Sequence, residues 1–133
     1  MVRNNKEEPS KIIQYIIEKL GWKKLSGWSR NYFANPIDGK IYSVSKTDGK
    51  LKELNSNPGS NGYRTVKLKG LDGEYHTKSE HKLILNAFVP NISDKIICHH
   101  INHDRTDNRL ENLEWVSYKD NSRRRKDNEN KHD

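Results

Sequence analysis

The segment from Cys98 to Asn121 reads CHHINHDRTDNRLENLEWVSYKDN. It opens on two adjacent histidines, His99 and His100, and carries Asn112 and Asn121 further on. Hydrolysis of a phosphodiester needs a water made nucleophilic and a cation that neutralises charge on the phosphate and the leaving oxygen. Histidine titrates near neutrality and can take the proton. Histidine nitrogen and asparagine oxygen can hold a divalent cation together with water. At this level three readings stay open: a polar surface loop, a zinc knuckle drawing on Cys98, His99, His100 and His103, or an active site. Neighbours on a strand point to opposite faces. His99 and His100 can therefore share a site only if the strand end lets the loop re-aim one of them.

The elements around these residues follow from pattern. DKIICHH predicts a short strand over about 95–100, and LEWVS a second over 113–117. YKDNSRRRKDN predicts a short helix. The two strands are joined by a polar loop of about a dozen residues, a length uncommon without a task. Upstream, SEHKLILNAFVP predicts a helix over 80–88, with Ser79 as N-cap, Leu83, Ile84, Ala87 and Phe88 on one face, and Pro90 as its stop. His81 on this helix and Cys98 on the strand read as packed residues, as do Trp115 and Val116. Residues 32–77 read as β. Asp38-Gly39, Asp48-Gly49, Asn61-Gly62 and Asp72-Gly73 mark tight turns between the strands KIYSVS, KLKEL and YRTVKLK. Near the start, Ile12, Ile13, Ile16, Ile17 and Leu20 have helical spacing, with Ser10 as cap and Gly21 as terminator. Residues 1–9 and 128–133 read as frayed or disordered tails.

Bulk composition narrows the class. Of 133 residues, 31% are hydrophobic and 32% charged, so the core is thin and built from short elements. A formal net charge of +7 favours an acidic partner, with nucleic acid foremost. One cysteine, Cys98, excludes an internal disulfide and a cysteine-rich zinc site. No apolar run is long enough to span a bilayer, and the N-terminus lacks a signal-peptide core. A cytoplasmic protein is expected.

The segment IICHHINHDRTDNRLENLEWVSYKDN resembles the catalytic segment of HNH endonucleases, especially small phage- and intron-associated enzymes. The family pattern is a pair [DH]-H, a loop like T-[DN]-N-R-x-x-N-L-x-W-V, and a later Asn or His on a helix. Asn112 and Asn121 follow His100 by 12 and 21 residues, which fits the family's spacing. The upstream GKIYSVS, GYRTVKLK and EHKLILNAFVP are similar to the stretch that precedes HNH in these proteins. GWKKLSGW resembles a degenerate tryptophan motif (NUMOD4-like) found in front of them.

The resemblance implies an α+β fold: a small antiparallel β-hairpin region with short helices, followed by a C-terminal ββα-metal (HNH, or His-Me finger) motif. It divides the chain into an N-terminal tail and helix (1–24), a β-rich DNA-binding region (25–94), the catalytic motif (95–127) and a tail (128–133). It implies His100 as general base, Asn112 as the brace that positions it, and His99 and Asn121 as ligands of one divalent metal. His99 stands where many relatives have Asp, which shifts preference toward softer ions such as manganese or nickel alongside magnesium, so that the expected ion is magnesium or manganese, with nickel or zinc as further candidates. Asn102 and His103 stand where relatives often have an acid and a glycine. The expected partner is double-stranded DNA, with no membrane. It would be bound by a monomer that nicks, whereas a dimer could cut both strands. Arg64, Lys67, Lys69, Arg105, Arg109, Arg123, Arg124 and Arg125 are the expected DNA contacts, and β hairpins could enter a groove as two-stranded ribbons. The competing reading is a non-catalytic DNA-binding protein derived from such a nuclease.

Overall fold

The computed structural model describes residues 7–91 and 96–119, with the side chains of 7–9 left aside. Helix α1 (Glu7–Glu18) is followed by strands β1 (Lys23–Lys24), β2 (Asn31–Asn35), β3 (Lys40–Val44) and β4 (Leu51–Glu53). Strands β5 (Asn57–Pro58), β6 (Arg64–Lys69) and β7 (Tyr75–Ser79) lead to helix α2 (Glu80–Phe88). Strand β8 (Ile97–His100), a 3-10 turn (Leu110–Asn112) and β9 (Leu113–Val116) complete the described elements. Three antiparallel sheets result, in the orders β1-β2-β3-β4, β5-β6-β7 and β8-β9. The fold is α+β, as the elements predicted. None of the described helices is long and apolar enough to cross a membrane.

Helix α1 already includes Glu7, so Ser10 lies inside it and does not cap it. The sequence accounts for the earlier start. Glu7 and Glu8 suit the positive end of a helix, and proline is tolerated in a first turn. The hairpin ribbons expected to enter a DNA groove are strands of the four- and three-stranded sheets. Helix α2 spans the predicted residues; Ser79 precedes it without a side-chain capping bond.

Alternation along β2 splits the core in two. Tyr32 and Ala34 face the main cluster, with Val66, Leu68, Ile84, Leu85, Cys98 and Leu113. Phe33 faces the other way, against Ile16, Trp22 and Val44. Ile12, Ile13 and Ile16 of α1 thus cover one side of the first sheet, whereas Ile17 and Leu20 of the predicted stripe stay exposed, and α2 lies among the strands on the other side. Burial of a large apolar side chain contributes about 1.5–3 kcal/mol, so this thin core depends on a few such residues. Three contacts lock the sheets and loops together. Tyr32 Oη accepts the Lys69 N–H at 2.9 Å. Pro36 O accepts the Leu110 N–H at 3.0 Å. The Asp38-Gly39 turn sits directly on the Asn108 backbone, where any Cβ at Gly39 would collide. Gly39 also has φ +70°, so both its conformation and its surroundings demand glycine.

Candidate active site

Strand β8 pairs with β9 in the register Ile97↔Val116, Cys98↔Trp115, His99↔Glu114 and His100↔Leu113. Residues directly opposite share a face. His99 therefore lies beside Glu114 on one face, and His100 lies with Leu113 and Cys98 on the other. The loop does not re-aim either histidine, because both belong to the regular ladder.

His99 is partly buried. Its Nδ1 lies 3.2 Å from Glu114 Oε1, and its ring meets that of His103 edge-on at 5.4 Å. An ionised carboxylate only accepts, so Nδ1 carries the proton and Nε2 holds the lone pair. Metal-ligating histidines typically donate their other ring N–H to a carboxylate or carbonyl in this way. The His99–Glu114 pair thus fits a divalent cation at Nε2. Asn121, the other expected ligand, lies outside the described residues, as do Arg123, Arg124 and Arg125 and most of the helix predicted from residue 118.

His100 is only 4% exposed. Its Nε2 lies 2.7 Å from Asn108 Oδ1. Its ring is tilted against Tyr63 at 5.7 Å and His81 at 5.0 Å. Tyr63 stacks on His81 at 4.8 Å, and the Arg105 guanidinium lies 4.8 Å over the Tyr63 ring. Burial, helped by the nearby His100, lowers the His81 pKa to about 4, which keeps that ring neutral. Burial likewise pushes the Cys98 thiol up to about 12; its Sγ lies 3.7 Å from His81 O, as a packed residue. A groove of about 220 Å³ runs beside β8, lined by residues that include Tyr63, His81, Lys82 and Tyr118.

Asn112 is 5% exposed and ties the loop together. Its Oδ1 accepts the Asn102 N–H at 2.9 Å. Its Nδ2 donates to Asn102 Oδ1 at 2.9 Å and to Asp107 O at 2.8 Å. Its carbonyl accepts the Ile101 N–H at 2.8 Å. The loop adds its own bonds, from Asn102 Nδ2 to Asp107 Oδ2 at 2.8 Å and from Thr106 Oγ1 to Asp104 Oδ1 at 2.6 Å. The long polar loop is thus ordered by side chains in place of a ladder. His103 in this loop has φ +66°, a left-handed conformation that glycine adopts without penalty.

The predicted basic residues fall into different settings. Arg64 is half-buried, with Nε donating to Ser56 Oγ at 3.0 Å and a terminal nitrogen to Ser56 O at 2.6 Å. Arg109 is paired with Asp107 at 2.8 Å and Glu111 at 2.6 Å. The Arg109 hydrogen bond holds the Asp107 carboxyl at about 2. Arg105 donates to Asn61 O and is exposed. Lys67 is exposed and Lys69 half-buried on β6. Arg30, Lys46, Lys50 and Lys52 border a shallow cavity of about 400 Å³ on the first sheet. Sequence reasoning missed Glu114, Glu80 and Asn108 as site residues. Only the strand register could have pointed to Glu114.

Residues 78–123 match the family described as HNH endonuclease. A curated relative, the uncharacterized HNH endonuclease L247 of Acanthamoeba polyphaga mimivirus, is 39% identical over 101 residues. That alignment takes in 70% of this chain and 25% of the relative, so the chain spans a quarter of that protein's length. A solved structure concerned with DNA binding and cleavage by the HNH homing endonuclease I-HmuI has a TM-score of 0.69. It shares 23% identity and covers 80% of this chain and 58% of its own, a likeness of fold. Its HNH segment and its alignment with the viral relative place this chain in the HNH endonuclease family.

Proposed function

We propose that this protein is a divalent-metal-dependent DNA endonuclease that nicks duplex DNA, of the phage or intron homing type. One observation carries the reading. Two adjacent histidines each have one ring nitrogen held by a side-chain acceptor, His99 by Glu114 and His100 by Asn108. Those bonds fix the tautomers: the lone pairs lie on Nε2 of His99, the atom a metal would take, and on Nδ1 of His100, the atom that would take a proton. A bound divalent cation would supply Lewis-acid stabilisation of the phosphate and the leaving oxygen. His99 and Asn121 would hold it, with Glu114 orienting His99.

His100 is the general base. The oxygen of an attacking water bonds to phosphorus while its proton passes to His100 Nδ1. The bond from phosphorus to the leaving sugar oxygen then breaks, and that oxygen takes a proton from solvent. Strand β8 has one neighbour among the described strands, β9. Asn112 braces the loop that follows His100. Arg105, fixed over Tyr63, is the phosphate contact nearest the site. Lys67, Lys69 and the Arg123–Arg125 run add sequence-independent, salt-dependent affinity. Arg64 and Arg109 spend donors inside the protein and contribute less.

The test is conversion of supercoiled plasmid with magnesium or manganese at low salt. Wild type is expected to give nicked circles. His100→Ala is expected to lose about 10²–10⁴-fold, the usual contribution of a positioned base. The burial of His100 favours a second reading, a DNA-binding protein without catalysis. Metal-independent binding with intact plasmid under every condition would select it.

A further inference from the structure

A continuous chain of hydrogen bonds runs from β6 through α2 to His100. Arg64 Nε donates to Ser56 Oγ at 3.0 Å. Ser56 Oγ donates to Glu80 Oε1 at 3.3 Å. Asn108 Nδ2 donates to the same oxygen at 2.9 Å. Asn108 Oδ1 then accepts from His100 Nε2 at 2.7 Å. Glu80, Asn108 and His100 are 3%, 2% and 4% exposed.

Chemistry sets the direction of every link. A guanidinium only donates, so Ser56 Oγ accepts from Arg64 and sends its own proton to Glu80. Glu80 Oε1 takes the Ser56 proton and so is an acceptor, which means the amide of Asn108 turns its NH₂ to it. The Asn108 oxygen is then turned to His100, and Nε2 must carry a proton. A neutral His100 is thereby held as the Nε2–H tautomer, with its lone pair on Nδ1.

We propose that Glu80, acting through Asn108, is a positioning residue that sets the tautomer and ring orientation of His100. This deepens the nuclease reading and rests on it for its catalytic consequence. Glu80 lies on α2, outside the β8–β9 hairpin, so the base is oriented from the body of the fold. Two observations support a role beyond packing. The second carboxylate oxygen, Oε2, is buried and has no hydrogen-bond partner among the described residues. Burial raises the Glu80 pKa against the opposing bonds from Asn108 and Ser56. A buried carboxyl oxygen without a partner costs stability, which a mere filler would not. The backbone of Asn108 is also pinned, since the Asp38-Gly39 turn packs on its carbonyl.

The experiment is ¹⁵N NMR of the histidine rings in the full chain, with His100 assigned by its loss in His100→Gln. Wild type is expected to show the Nε2–H tautomer at His100. Glu80→Met and Asn108→Leu are expected to move His100 to a mixed tautomer. They should also cut the nicking rate about 10–100-fold, as removal of an orienting partner commonly does, with DNA affinity unchanged. Glu80→Gln keeps an acceptor for Asn108 and is expected to restore the wild-type signal and rate. Amide spectra confirm that each variant folds. A wild-type Nδ1–H tautomer, or His100 signals unmoved in Glu80→Met, overturns the proposal even where DNA is cut. Signals that respond as expected in a protein that never cuts DNA uphold the hold on His100 and overturn the nuclease reading instead.

Discussion

His99 and His100 are adjacent in one short strand, yet their surroundings differ in kind. His99 faces a carboxylate and a second imidazole near the surface. His100 faces a tyrosine, a neutral histidine and a buried amide. The difference comes from strand alternation, which sends neighbours to opposite faces. One face suits a ligand, where the ring nitrogen must reach a cation and its water shell. The other suits a base, whose tautomer and angle must be held while one nitrogen stays available. Adjacent residues of one type can thus take two tasks because the strand gives them two environments.

Substitutions can break this comparison. The largest effect is expected from His100→Ala, with about 10²–10⁴-fold lower nicking that added metal does not recover. Glu114→Ala removes the carboxylate that holds His99 Nδ1. It is expected to weaken apparent manganese affinity about 10–100-fold while leaving the rate at saturating metal close to wild type; a metal titration of cleavage reads both. Asn112→Ala removes the amide that joins Asn102 to Asp107 and leaves buried groups unpaired. A urea midpoint is expected to show about 1–3 kcal/mol lost, with both histidines affected together because the loop follows their strand. The smallest change is His103→Gly. It relieves the left-handed backbone and is expected to raise stability by about 1 kcal/mol, without altering which histidine responds to metal.

Much of this arrangement was legible in the residues. The four Asp-Gly and Asn-Gly pairs all place glycine at positive φ, because tight antiparallel turns require it. Helix α2 followed from apolar spacing and Pro90. The stretch TDNRLENLEW, with Asn112 at its centre, carried the family. What stayed hidden depends on long-range pairing. Asn108 meets Glu80 across 28 residues, and no spacing rule links them. Glu114 reads as an ordinary strand residue until the register sets it opposite His99. Arg64 reads as a surface cation until its bonds to Ser56 show it turned into the fold. Charge counting identifies that a basic surface exists, but each basic residue's partners decide which charges remain for DNA.

In the proposed division of labour His99 serves a metal and His100 a proton. It is tested most directly by the nicking rate against manganese concentration for His99→Ala and His100→Ala. His99→Ala is expected to climb back toward the wild-type rate as manganese is raised, while His100→Ala stays flat and low at every concentration. Recovery of both variants, or wild-type activity in His100→Ala, would contradict it.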